Sequence, residues 1–183
     1  MNKKSLSVFL ALACGLVMSV GAKPQAVKPV VFTLGSKIIT GKLKSEGSDR
    51  AGVQGRAAFT LTSANDDDTL TGVMVYTLTD EGRGKIAQST GRELEAVPAS
   101  LVKKEVIANF RKGTACPIGH LMLPPTEFEV EGAVVQLDRV PLEINESHGQ
   151  LPQLLCAWAR QVNKKSQHHG IIAAINRLIR GEE

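Results

Sequence analysis

Aromatic side chains are scarce in this chain, with one Trp, one Tyr and five Phe among 183 residues. That scarcity argues against two kinds of function. Single-stranded nucleic acids are bound on rows of aromatic platforms, and sugar-binding faces commonly use aromatic rings as well. Most of Phe32, Phe59, Tyr76, Phe110, Phe128 and Trp158 sit inside apolar patterns. They are therefore expected in a core built mainly from Val, Ile, Leu and Ala.

Catalytic signatures are missing too. No Gly-x-Ser-x-Gly elbow, His-Glu-x-x-His pair, glycine-rich phosphate loop or dinucleotide fingerprint occurs. There is no internal repeat, no low-complexity tract and no concentrated basic arm. The formal charge is +4, and it falls to +2 if Lys3 and Lys4 are removed with an N-terminal signal that contains no acid. So weak a field does not suit a phosphate backbone, and no nucleic acid partner is expected.

The N-terminus carries a pattern of its own. Lys3 and Lys4 precede an apolar stretch over residues 6–20, and Val20, Gly21 and Ala22 supply a small-residue exit. These three parts predict a secretory signal over residues 1–22, bacterial in style and cut after Ala22. The apolar stretch is about 15 residues, short of the roughly 20 that span a bilayer as a helix. The mature chain is thus expected to be periplasmic or extracellular. A lipoprotein cut before Cys14 is disfavoured, because Leu12 is misplaced for it and the apolar stretch continues to Val20.

Removal of the signal leaves two cysteines, Cys116 and Cys156. An even count in an exported chain predicts one disulfide, with two buried free thiols as the alternative. Closing a loop of ~40 residues would stabilise the fold by about 4 kcal/mol.

Residues 23–29, with two prolines and no periodicity, read as a flexible leader, and residues 30–183 as a single domain. Within that domain, residues 30–34 read as a short strand turned by Gly35 and Ser36, with a second strand over 37–44. Strands follow over 53–62 and 70–79, the latter apolar on both faces and so expected to be central and covered on each side. Asp80 and Glu81 start a helix that Gly91 stops. Pro98 fits the first position of another, with Leu101 and Val102 in its next turn. Residues 103–111 lean towards a strand. Residues 126–131 and 133–138 form a hairpin turning at Glu131 and Gly132, and residues 140–144 make an edge strand because of Pro141. Leu154, Leu155, Trp158 and Val162, then Ile171, Ile175 and Leu178, recur at helical spacing and predict a helical hairpin over 151–180.

The fold class expected is α+β: a mainly antiparallel β-sheet or sandwich over residues 30–144. It carries a short helical insertion near 80–102 and the C-terminal helical hairpin packed on it.

Few residues suggest chemistry. Cys116 and His120 stand four apart, but a closed zinc site needs four ligands and nothing fixes the rest. Asp66, Asp67 and Asp68 concentrate oxygen ligands of the kind calcium uses, without the alternating spacing of an EF-hand loop, so a solvated tip is the simpler reading. A cysteine nucleophile with a histidine base conflicts with export and an even cysteine count. No metal, cofactor or catalytic residue is therefore assigned, and an enzyme is disfavoured. Arg160, Lys164, Lys165, Arg177 and Arg180 make the terminal helices basic, which suits an anionic membrane surface or a partner. Docking of their apolar stripe on the sheet is the favoured arrangement. The expectation is a non-enzymatic envelope or secreted protein that binds a protein partner or an assembly surface; a secreted hydrolase and a membrane-surface protein are the alternatives.

Overall fold

The structure is a computed structural model that describes residues 31–44, 51–111, 118–145, 149–164 and 169–182. The signal over 1–22, the leader over 23–29, Cys116 and Lys165 lie outside the described residues.

Eight strands form one sheet: β1 (Thr33–Lys44), β2 (Gly52–Ala64), β3 (Thr69–Leu78), β4 (Ser100–Phe110), β5 (Ile118–Leu123), β6 (Thr126–Val130), β7 (Ala133–Leu137) and β8 (Val140–Asn145). Their order is β6-β7-β1-β2-β3-β4-β5-β8, and every pairing is antiparallel. The β1 to β4 meander runs down the middle, and the two short strand pairs extend it at opposite ends. β7 joins the C-terminal end of β1, where Lys42 faces Gln136 and Lys44 faces Val134. β5 joins the far end of β4, at Asn109 and Phe110. The sheet curls, so that β6 approaches β4 at one end and β8 approaches β1 at the other. The result is a half-barrel with an apolar interior. It is α+β, as the patterning predicts, and all eight strands belong to a single sheet.

The expected turn at Gly35 and Ser36 does not form. β1 runs straight through as one strand, with a register shift between Gly35 and Ile38. The physical reason is Ser36. Its hydroxyl accepts the Ala57 N–H at 2.8 Å and donates to the Lys37 carbonyl at 2.7 Å, substituting for the ladder bonds that the irregularity interrupts.

A helix covers each mouth of the half-barrel. α1 (Asp80–Thr90) follows β3 and packs on β2, β3 and β7. Thr79 caps it by accepting the Gly82 N–H at 3.1 Å, and Gly91 ends it in the left-handed conformation, φ 65°. By propensity Gly82 weakens this helix. It is needed because α1 lies so close to β2 that a Cβ there would sit 2.5 Å from the Gln54 carbonyl oxygen. The second helix expected after Pro98 is a correction: a 3-10 turn over Leu94–Ala96 leads directly into β4, which begins at Ser100. Leu101 is buried through the pleat of that strand and Val102 points the other way.

α2 (Gln150–Lys164) and α3 (His169–Arg180) close the opposite mouth. Leu155, Trp158 and Ile175 enter the core as the helical spacing predicts, Leu154, Val162, Ile171 and Leu178 are half-buried against it, and Leu151 and Ile172 are buried in addition. The Asn176 side chain adds a contact the spacing does not show. It accepts the Ala64 N–H at 2.8 Å and donates to the Ala64 carbonyl at 2.9 Å, acting as a strand partner for the last residue of β2. The β6–β7 hairpin turns at Glu131 (φ 49°) and Gly132 (φ 83°), and β8 lies at a sheet edge, both as the sequence predicts.

Tyr76 holds the interior together. Its ring stacks on Phe128 across the half-barrel, with centroids 6.2 Å apart. Its hydroxyl lies 2.7 Å from the Val53 carbonyl and 3.1 Å from that of Ile39. Burial pushes the phenol up to about 12, against a smaller opposing hydrogen bond from the Gly41 backbone. The folded state therefore favours the neutral phenol. The associated stability is complete below the ordinary tyrosine pKa of about 10 and is lost as pH rises towards 12. Tyr76→Phe is expected to cost about 1–3 kcal/mol at neutral pH by leaving the Val53 carbonyl without its buried donor. It should also flatten the alkaline fall in stability. Urea midpoints at pH 7 and pH 11 test this; an unchanged alkaline slope in the variant would assign the titration elsewhere.

Candidate functional site

The three aspartates shape a turn. Asp67 accepts the Thr69 hydroxyl at 2.6 Å and the Thr69 N–H at 3.3 Å, and Asp68 adopts φ 65°. Asn65 donates to the hydroxyls of Thr69 and Thr71. The Asp66 carboxylate lies 3.5 Å from His169 Nδ1 at the start of α3. Asn65 thus ties the end of β2 to β3, and Asp66 meets α3 only through a solvent-exposed contact. Among the described residues, no group of three or more His, Cys, Asp or Glu side chains could hold a metal.

His120 lies on β5 opposite Glu143 of β8. Together with Ser36, Lys37 and Arg111 it lines a cleft of about 320 Å³ where β8 approaches β1. Ser36 is committed to the β1 irregularity through both of its hydrogen bonds. Cys156 is 1 % exposed on α2, within the core.

Of the basic positions on the terminal helices, the Lys164 side chain and Lys165 lie outside the described residues. Arg160, Arg177 and Arg180 are exposed, and Arg180 pairs with Glu182 at 2.9 Å. The apolar stripes beside them pack on the sheet and on each other. No helix among the described residues is long and apolar enough to cross a membrane.

The surface that sequence reasoning missed is the outer face of β3 and β4. The apolar alternation of β3 predicts cover on both sides, but only one side is buried. Gly72, Met74, Tyr76 and Leu78 face the interior, while Val73 and Val75 are half-buried on the outside. The sheet register extends this outer strip sideways. Ala58, Val75 and Val102 form one row across β2, β3 and β4, and Thr71 stands beside Ile107 in another. Val102 is 56 % exposed and Ile107 is 42 % exposed. Val102 follows Leu101 and Ile107 lies between Val106 and Ala108, so which of these apolar residues faces outward is legible only once the phase of β4 is known.

A seam adjoins this strip. β4 pairs with β5 only at Asn109 and Phe110, so among the described residues positions 100–108 have no strand on that side. They face β6 across a cleft of about 630 Å³ lined by Pro98, Leu101, Lys103, Phe128 and Glu129. It continues as a second cleft of about 460 Å³, beside Lys104, Ile107, Pro125 and Gln136. Two residues, Lys104 and Glu105, bulge from β4 opposite Val73, where the register steps from Gly72↔Val106 to Met74↔Lys103. Glu105 has φ 56°, a conformation that non-glycine residues adopt at a cost and mostly where surrounding structure imposes it.

No family model matches the chain, and neither a curated protein nor a solved structure matches it.

Proposed function

We propose that this chain is an exported, non-enzymatic protein-binding module of the envelope or the extracellular space, and that it binds through the outer strip of β3 and β4. The observation that carries the reading is the two exposed apolar side chains Val102 and Ile107, which flank the bulge of β4 on a sheet face whose neighbours Ala58, Val73 and Val75 are also apolar. Apolar surface rimmed by polar residues marks interaction sites, and here the polar neighbours are Thr60, Thr71 and the bulge residues Lys104 and Glu105. Export rests on the basic head, apolar stretch and small-residue exit of residues 1–22. We further assign Cys116 as the partner of Cys156, because it is the one other cysteine beyond residue 22.

A photo-crosslinking amino acid placed at position 102 or 107 tests the binding face in the native host. Both positions should yield a discrete crosslinked protein that the same probe at exposed Arg160 does not, and Ile107→Asp should remove it from the position 102 probe without changing the melting temperature. Equal yields at positions 102 and 160 would sink the assignment.

A further inference from the structure

The open seam narrows the class of partner, an inference that rests on the binding face just described. The Leu78 N–H donates to the Ala99 carbonyl at 2.9 Å. Ladder bonds of antiparallel strands alternate along each strand. The same register therefore points the Leu101 backbone at β3 and turns the N–H and C=O groups of Ser100 and Val102 towards the seam. A lipid or an apolar small molecule cannot satisfy alternating donors and acceptors at strand spacing, whereas an extended polypeptide can.

The flanking side chains then select among polypeptides. Lys103 and Lys104 are exposed at this edge and make no ion pair among the described residues. On the opposite wall Glu127 is engaged by Lys44 at 3.3 Å, while Glu129 is exposed. Glu105, the next residue of the bulge, is exposed as well, so the β4 edge carries two cations against one carboxylate, and an incoming acid is drawn to the lysines and repelled from Glu129. Lysines and a bulge are also the devices by which sheet edges avoid indiscriminate pairing, so a segment without a complementary charge is rejected. The bulge at Lys104 and Glu105 limits the paired stretch to the beginning of the strand.

We propose that an extended acidic segment of a partner protein adds as a strand to the free edge of β4, hydrogen-bonding Ser100 and Val102 and pairing carboxylates on its inner face with Lys103, which shares the Met74 face, while Lys104 adds a cation at the bulge. Side chains on one face of that segment then extend the Val75–Val102 row.

The probe is an acetylated, amidated peptide Thr-Val-Asp-Val-Asp-Val-Thr, compared with its Val/Lys counterpart, added to the purified full chain. Binding is read by fluorescence anisotropy and by hydrogen exchange at the Ser100 and Val102 amides. The Asp peptide should bind and slow exchange at both amides by roughly tenfold or more, the population arithmetic of a mostly occupied site. N-methylation of its alternate residues should abolish binding in one phase and spare it in the other. K103E combined with K104E should weaken the Asp peptide by about tenfold or more, equivalent to at least about 1.4 kcal/mol, and favour the Lys peptide. The double variant replaces exposed side chains only, and an unchanged melting temperature verifies its fold. Binding that survives N-methylation in both phases overturns strand addition, as does the absence of amide protection. Protection that appears without peptide and grows with protein concentration overturns it in favour of a second copy of this chain. Crosslinking at positions 102 and 107 without edge protection would leave the binding face standing and remove only the strand mode.

Discussion

Replacing Trp158 with alanine is expected to lower the stability of the fold by about 3–5 kcal/mol, the range of large-to-small changes at fully buried aromatic positions. Trp158 is 0 % exposed and meets Phe110 edge-on, with ring centroids 5.2 Å apart and planes at 81°. Phe110 is the last residue of β4 and one of the two that hold β5. The indole thus supports the junction on which the β5–β8 extension depends, and the cavity left by alanine would open beneath that junction. Chemical denaturation measures the loss. A cost below about 1 kcal/mol, typical of surface positions, would place the indole outside the core.

A larger effect is expected from ending the chain after Gly149. That truncation deletes α2 and α3 and uncovers one whole mouth of the half-barrel. Leu155, Trp158, Ile172 and Ile175 are each buried, and each such side chain contributes roughly 1.5–3 kcal/mol by burial alone. Ala64 would also lose both hydrogen bonds to Asn176. The sum rivals the 5–15 kcal/mol net stability of an ordinary domain, so the truncated chain should show no cooperative melt by circular dichroism or calorimetry. A truncated chain that melts cooperatively at the full-length temperature would make the hairpin a separate module.

The hairpin was legible because helical periodicity survives without tertiary context: an apolar stripe at positions three and four apart has one economical interpretation. The β6–β7 hairpin was legible for a similar local reason, Glu131 and Gly132 between two alternating runs. β1 was harder. Gly35 and Ser36 carry turn chemistry, and only the hydroxyl of Ser36 bonding to Ala57, 21 residues away, shows why the strand continues. β4 was misread at its start because Pro98 suits a helix entry as well as an extended approach, and Leu101 with Val102 fits either. The bulge at Lys104 and Glu105 then shifts the alternation, so no single period describes the strand.

That shift also explains why the binding face was not foreseen. Identifying an exposed apolar row requires knowing which strands are neighbours and in what register, and Ala58, Val75 and Val102 are brought together only by the pairing of three strands. Composition offers no warning, since each residue alone is ordinary for a strand. The aspartates, by contrast, stood out in sequence, and two of the three form local or nearby contacts, Asp67 to Thr69 and Asp66 to His169.

The pairing of β1 with β7 has a kinetic consequence. The β1 to β4 meander joins neighbours through short connections, but Lys42 must find Gln136 and Leu43 must find Val135. Contacts so distant in sequence require loop-closure entropy to be surrendered before they give anything back, and folding slows accordingly. A chain emerging from its N-terminus therefore cannot zip the C-terminal end of β1 until β7 has followed. In that interval the C-terminal end of β1 keeps an unsatisfied edge, which is a template for pairing with another chain.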